Sequence, residues 1–241
     1  MKIEFDDGYS FGKGAFETIK VVDGRPLFLK EHIERLEKSL KFFGINRKIE
    51  CDKIYDYLSK SEEKNFALKI IVSDENFILT SREDHYKNNY KKFKLKISDA
   101  KRNSTSKIIY HKSLCYYENI LEHKLANESG YDSSLFFNEK NEVAETSFAN
   151  IFFVKENKIY TPPISSGILK GTMRDFLLEN YEIKEKAINF GELSDFEECF
   201  ISNSLMGVRN VSLINCEKEK IKFSGEDNTK LIQDNLKKFG F

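Results

Sequence analysis

The sequence predicts an α/β protein built as two domains, and three observations carry that expectation. The 241-residue chain, 40% hydrophobic and 13% aromatic, is long enough and apolar enough to bury a core in each of two domains. Strand-like runs rich in Ile, Val and Phe alternate with segments of helical period along the whole length. The stretch REDHYKNNYKK at 82–92 is polar, charged and without apolar periodicity, the composition of a linker. The expected division is a small N-terminal α/β domain at 1–86, a linker at 87–91 and a larger domain at 92–241.

In chain order, AFETIKVV at 15–22 reads as a strand, with Asp23-Gly24 as a hairpin turn. In PLFLKEHIERLEKSLKFFGI the residues Leu29, Ile33, Leu36, Leu40 and Phe43 recur at helical spacing, and Gly44 closes the helix. Phe28 and Phe42 fall on another face, so this helix is expected to be covered on two sides. A second helix spans roughly 51–62, followed by paired strands at 66–73 and 76–81. Beyond the linker, KFKLKIS reads as a strand, SKIIY as a short apolar strand, and SLCYYENILEHKLANESG as a helix ending at Gly130. DSSLFFN and EVAETS form a hairpin, and NIFFVKENKIYTPP forms another that turns at KEN. GTMRDFLLENY is a helix, and KEKAINF, ECFISNS and RNVSLINC are strands. A last helix, NTKLIQDNLKKF, groups Leu231, Leu236 and Phe239.

Bulk properties narrow the function. Lys+Arg 39 balance Asp+Glu 39, which argues against a general nucleic-acid binder while leaving room for a local anion site. The cysteines Cys51, Cys115, Cys199 and Cys216 form no CxxC or CxxH pair, and such sparse use fits packing residues in a reduced, cytoplasmic compartment. MKIEFDDGYS has no apolar region of a signal peptide, and no stretch approaches the roughly 20 apolar residues of a membrane helix. His32, His85, His111 and His123 show no metal-ligand spacing, so no metal is expected.

Several residues carry chemistry. Gly171 and Thr172 stand where a loop becomes a helix; they read either as an ordinary loop glycine and N-cap or as a phosphate-binding helix start. Arg35 in HIERL reads as a surface arginine with an apolar stem, or as a cation placed to meet an anion. Lys112 is one solvated lysine among many, or an amine set among Tyr116 and Tyr117 that can form a Schiff base. Glu145 is an edge carboxylate, or a partly buried one in need of a cationic partner such as a protonated pyridine nitrogen. SNSLMGV at 202–208 is a polar turn or a set of small hydrogen-bonding groups. Taken together, a Schiff-base lysine, a carboxylate, a helix start and an arginine make the parts of a pyridoxal-phosphate site.

The order and spacing of these stretches resemble the class IV aminotransferases, the fold-type IV pyridoxal-phosphate enzymes. FGKGAFETIKV resembles the opening G-x-G-x-F-E-T strand of that family, and HIERLEKSLKFFGI its H-x-x-R-L helix. EVAETSFANIFFVKENKIYTPP resembles the signature E-x-x-x-x-N-I-F with its TPP turn, and GILKGTMRDFLLE the phosphate-binding G-I-L-x-G-x-x-R. The resemblance implies a larger domain of pseudo-barrel form carrying Lys112 as the Schiff-base residue, and pyridoxal 5'-phosphate as cofactor. It also implies Glu145 at the pyridine nitrogen, with Arg35, the Thr172 and Met173 backbone and Ser204 at the phosphate. Tyr117 matches the tyrosine at the cofactor's 3'-oxygen, and Arg82 stands near the position of a substrate-carboxylate arginine. A homodimer without nucleic-acid or membrane partners is also implied. ISNSLMGV resembles the NALMPV segment of 4-amino-4-deoxychorismate lyases, with Gly207 in place of the proline, and GTMR resembles their GIMR. The implied reaction is release of pyruvate and p-aminobenzoate in folate biosynthesis. The alternative is an aminotransferase for branched-chain or D-amino acids.

Overall fold

The computed structural model describes residues 2–86, 90–216 and 219–241. Contacts divide them into two units. The first takes the residues up to 86 with 111–116 and Gly240, and the second takes the rest. Of the expected linker, residues 87–89 lie outside the described residues.

The first unit contains α1 (Asp7–Phe11), β1 (Gly14–Val22), β2 (Arg25–Pro26), α2 (Leu29–Phe42), α3 (Cys51–Lys60), β3 (Phe66–Ser73) and β4 (Phe77–Arg82). Its strands form an antiparallel sheet in the order β2-β1-β3-β4. The period of two along each strand sorts side chains onto two faces. Ala15, Ile19 and Val21 of β1 join Leu68, Ile70 and Val72 of β3 in a core that includes Leu36 and Leu40 of α2 and Ile54 and Leu58 of α3. Asp23 and Gly24 both have positive φ, 49° and 76°, the mirror-image turn that matches strand twist in a tight hairpin. Helix α2 closes as its glycine predicts: Gly44 has φ 68°, and the Ile45 amide donates back to the Leu40 carbonyl at 2.9 Å.

Only one face of α2 is deeply buried, through His32, Leu36, Ser39 and Leu40. Phe42 is 42% exposed and stacks on His111 at 4.1 Å, which corrects the expectation of a helix covered on two sides. The segment 111–116 also departs from its expected place in the larger domain. The Phe16 amide donates to the Lys112 carbonyl at 2.9 Å and the Leu114 amide to Gly14 at 3.0 Å, with Ala15 and Ser113 forming an antiparallel bridge. Pairing with the start of β1 therefore makes Lys112 part of the first unit.

The second unit contains β5 (Phe93–Ile97), α4 (Tyr117–Glu128), β6 (Ser133–Phe137), β7 (Val143–Thr146), β8 (Asn150–Lys155), β9 (Lys158–Thr161) and α5 (Thr172–Asn180). It continues with β10 (Ile183–Glu185), β11 (Glu198–Asn203), β12 (Gly207–Asn215), β13 (Lys220–Lys222) and α6 (Asp227–Lys237). These strands make one curled half-barrel sheet in the order β10-β9-β8-β11-β12-β5-β6-β7, with β13 on β12. Strand β8 lies inside the sheet between β9 and β11, and its middle residues Ile151, Phe152, Phe153 and Val154 are apolar and buried on both faces. Its hairpin turns at Glu156 and Asn157, with φ 51° and 57°.

Three expected elements change. SKIIY is a 3₁₀ turn at Lys107–Tyr110, because the Tyr110 hydroxyl folds back to the Ser104 carbonyl at 2.6 Å. Of KEKAINF only Lys184 and Glu185 belong to a strand, Asn189 makes an isolated bridge to Glu142, and Phe190 opens a 3₁₀ turn capped by Asn189 and Glu192. In α6 the buried stripe is Thr229, Ile232 and Leu236, while Leu231 is exposed, since it lies off the 3.6-residue period that joins those three.

Candidate active site

Two sets of chemistry-bearing residues stand out, one in each unit. In the first unit, Glu17 lies mid-strand on the apolar face of β1, because it shares the period of Ala15, Ile19 and Val21. It is fully buried. Arg35, one turn into α2, meets it with a two-point contact: Nε to Oε1 at 2.7 Å and Nη2 to Oε2 at 2.6 Å. His32, one turn earlier on the same helix, places Nδ1 2.7 Å from Oε2. An ionised carboxylate only accepts, so the ring donates its Nδ1–H. Burial alone would raise the Glu17 carboxyl, but the Arg35 charge, with His32, outweighs it and holds the group at about 2. Burial pushes His32 down and leaves it neutral at pH 7.

These shifts set an acid limit on stability. The unfolded chain protonates histidine from about pH 6.5 and glutamate from about 4.3, whereas the folded protein resists both. Stability should therefore fall as pH drops below about 6.5 and fall further toward pH 2. Glu17→Gln removes the buried charge that Arg35, 14% exposed, meets at two points, so it should cost about 3 kcal/mol near pH 7 and make the acid decline shallower. Urea unfolding followed between pH 3 and 8 checks both effects.

Lys112, in the segment paired with the start of β1, lies against the other face of that strand, over Phe16. Its amine lies 4.6 Å from the Phe16 ring centroid and 5.0 Å from that of Tyr116, and the two rings meet edge-on at 5.0 Å. The tyrosine beside the lysine is thus Tyr116. Tyr117, expected in that role, opens α4 and is 72% exposed, because the chain turns into the helix at that residue. Arg82 ends β4 in an exposed position, with Nη1 donating to its neighbour Glu83. Sequence reasoning passed over Lys69, which shares the sheet face of Phe16 and Arg82 through the pairs Thr18–Lys69, Phe16–Ile71 and Ala67–Arg82. Its amine is 4.7 Å from the Phe16 centroid, and burial, helped by the Arg82 charge, lowers its pKa. The alternation in FALKIIVS, with Lys69 between the core residues Leu68 and Ile70, was the available signal.

In the second unit, β7 carries Glu145, whose side chain is 10% exposed. Oε2 accepts from the Leu169 amide at 3.1 Å, and Oε1 lies 3.5 Å from Arg102 Nη2. The loop bearing Leu169 is held from its other side too, since Asn150 Nδ2 donates to the Leu169 carbonyl at 2.9 Å. The acid and the amide of the ETSFAN stretch therefore grip one residue of the GILKG loop.

That loop leads directly into α5. Its N-cap, Gly171, brings no capping side chain, and a Cβ there would lie 2.2 Å from Asn150 Oδ1, so only glycine fits. Thr172 and Met173 follow at the helix start, both buried. Ser204 lies in the turn after β11, where Asn203 Oδ1 accepts from the Leu205 and Met206 amides at 2.9 Å each. No helix among the described residues is long and apolar enough to cross a membrane.

Comparison with known proteins places the chain. The model of the amino-transferase class IV family matches residues 14–214. A Bacillus subtilis protein named aminodeoxychorismate lyase is 28% identical over 229 residues, covering 85% of this chain and 78% of that protein. A Rickettsia bellii protein provisionally named branched-chain-amino-acid aminotransferase is 27% identical over 238 residues, covering 89% and 82%. Among solved structures, a Legionella pneumophila chain provisionally named 4-amino-4-deoxychorismate lyase superposes with a TM-score of 0.88 at 26% identity, covering 99% of this chain and 95% of that one.

Proposed function

We propose that this chain, which belongs to the class IV aminotransferase family of pyridoxal-phosphate enzymes, is a lyase that converts 4-amino-4-deoxychorismate to p-aminobenzoate and pyruvate. The observation that carries the choice of reaction is the likeness to the Legionella chain, which runs almost end to end in both molecules. The residues fit the cofactor. An amine rests on aromatic faces, a carboxylate is fixed in a buried strand, and a buried helix start has no capping side chain at its N-cap.

When bound, pyridoxal phosphate supplies an aldehyde for amine capture and a ring that draws electrons from the adjacent carbon. Lys112 Nζ would hold the cofactor covalently and, once displaced by substrate, take the proton from the carbon bearing the substrate nitrogen. Glu145 would face the ring nitrogen and keep a proton there. Thr172 and Met173 would offer backbone N–H groups to the phosphate, Ser204 its hydroxyl, and Arg35 its charge, with Glu17 fixing the guanidinium. Tyr116 takes the role at the 3'-oxygen that the sequence assigned to Tyr117. Arg82, with Lys69 on the same sheet face, would meet substrate carboxylates. We place the reaction in folate synthesis in the cytoplasm, carried out by a homodimer.

The Rickettsia likeness favours a second reading, an aminotransferase for branched-chain or D-amino acids. Parallel assays separate the two. Purified enzyme supplied with aminodeoxychorismate should release pyruvate without any keto-acid acceptor. Turnover of amino acids that requires 2-oxoglutarate, with no pyruvate from aminodeoxychorismate, would replace the lyase reading.

A further inference from the structure

Arg102 has no role in the account above, yet it pairs with Glu145 and is itself held on several sides. It is 5% exposed, and its amide donates to the Phe137 carbonyl at 2.9 Å, which anchors its backbone beside β6. The guanidinium lies on the Phe136 ring, 3.7 Å from the centroid. Nη1 donates to Glu118 Oε2 at 2.8 Å in the first turn of α4, and Nη2 faces Glu145 Oε1 at 3.5 Å. Its Nε is buried without a hydrogen-bond partner.

We propose that Arg102 is a positioning residue that keeps the Glu145 carboxylate ionised and fixed for a cationic ring nitrogen; this rests on the reading of Glu145 as the partner of that nitrogen. The physical reason is the cost of a buried charge. A carboxylate at 10% exposure with no cation nearby favours its protonated form, and a protonated acid no longer stabilises a pyridinium. Arg102 supplies that cation on the Oε1 side, while the Leu169 amide orients Oε2. The geometry also limits the effect. Arg102 divides its charge between Glu118 and Glu145, so it steadies Glu145 without cancelling it. A planar guanidinium can stack on Phe136 and reach two carboxylates at once, which a lysine ammonium cannot match in full.

The test compares two ligands on the whole protein stripped of cofactor: pyridoxal phosphate and its 1-deaza analogue, in which carbon replaces the ring nitrogen. Arg102→Gln should bind pyridoxal phosphate about tenfold or more weakly than the unaltered protein, the size expected for one lost charge-assisted contact. It should bind the deaza analogue as the unaltered protein does. Arg102→Lys, which keeps the charge, should recover most of the loss and guards against a variant that fails to fold. With ring-¹⁵N cofactor bound, Arg102→Gln should shift the nitrogen resonance toward the unprotonated form. An equal loss for both ligands would make Arg102 merely structural and overturn the proposal, as would unchanged affinity for pyridoxal phosphate. If the unaltered protein itself binds both ligands alike, the assignment of Glu145 falls, and the role of Arg102 with it.

Discussion

Lys112→Ala should abolish covalent retention of pyridoxal phosphate and lower turnover by about a thousandfold or more, because both the attachment and the proton transfer depend on one amine. The surroundings of Lys112 are built to present it. The segment 111–116 pairs through its backbone with the start of β1, and Phe16 and Tyr116 set aromatic faces within 5.0 Å of the amine. Truncation removes the amine while leaving that backbone pairing intact, so the variant should remain folded. Absorbance of the dialysed protein in the cofactor band and steady-state kinetics read the two effects separately. A variant that retained its cofactor through dialysis and kept near-normal turnover would remove Lys112 from the chemistry.

Glu145→Gln should give the opposite pattern, with covalent retention preserved and turnover reduced by about a hundredfold. The amide keeps an oxygen to accept from Leu169, so the GILKG loop keeps its tie to β7. It loses the negative charge that would stabilise a protonated ring nitrogen, and it leaves Arg102 facing a neutral group. Single-turnover measurements with cofactor-saturated enzyme isolate the chemical step. Unchanged rates there would contradict the role given to Glu145.

Much of the fold was legible because local patterns and the final contacts agree. The period of two in AFETIKVV and FALKIIVS, the paired positive-φ turns at Asp23-Gly24 and Glu156-Asn157, and the helical stripe through Leu36 and Leu40 each correspond to observed packing. Glu17 shares that alternation with the core residues Ala15, Ile19 and Val21, and its partners in the structure are His32 and Arg35.

What could not be read locally depends on contacts distant in sequence. Lys112 joins β1 through a backbone pairing that its own neighbours do not announce. The choice between Tyr116 and Tyr117 turns on where α4 begins, a boundary that one residue decides. Arg102 stands in the polar run KRNSTS, which reads as a loop. Its burial follows from Phe136 and from two acids on separate elements. The short apolar run of SKIIY likewise promised a strand, but Lys107–Tyr110 winds into a 3₁₀ turn that pairs with no strand among the described residues.

The central claim is that this chain works through pyridoxal phosphate held on one lysine. Borohydride reduction of the cofactor-loaded protein, followed by proteolysis and mass mapping, tests it most directly. A single phosphopyridoxyl label on Lys112 is the result this account predicts. A label on another lysine, or no label after reduction, would contradict it.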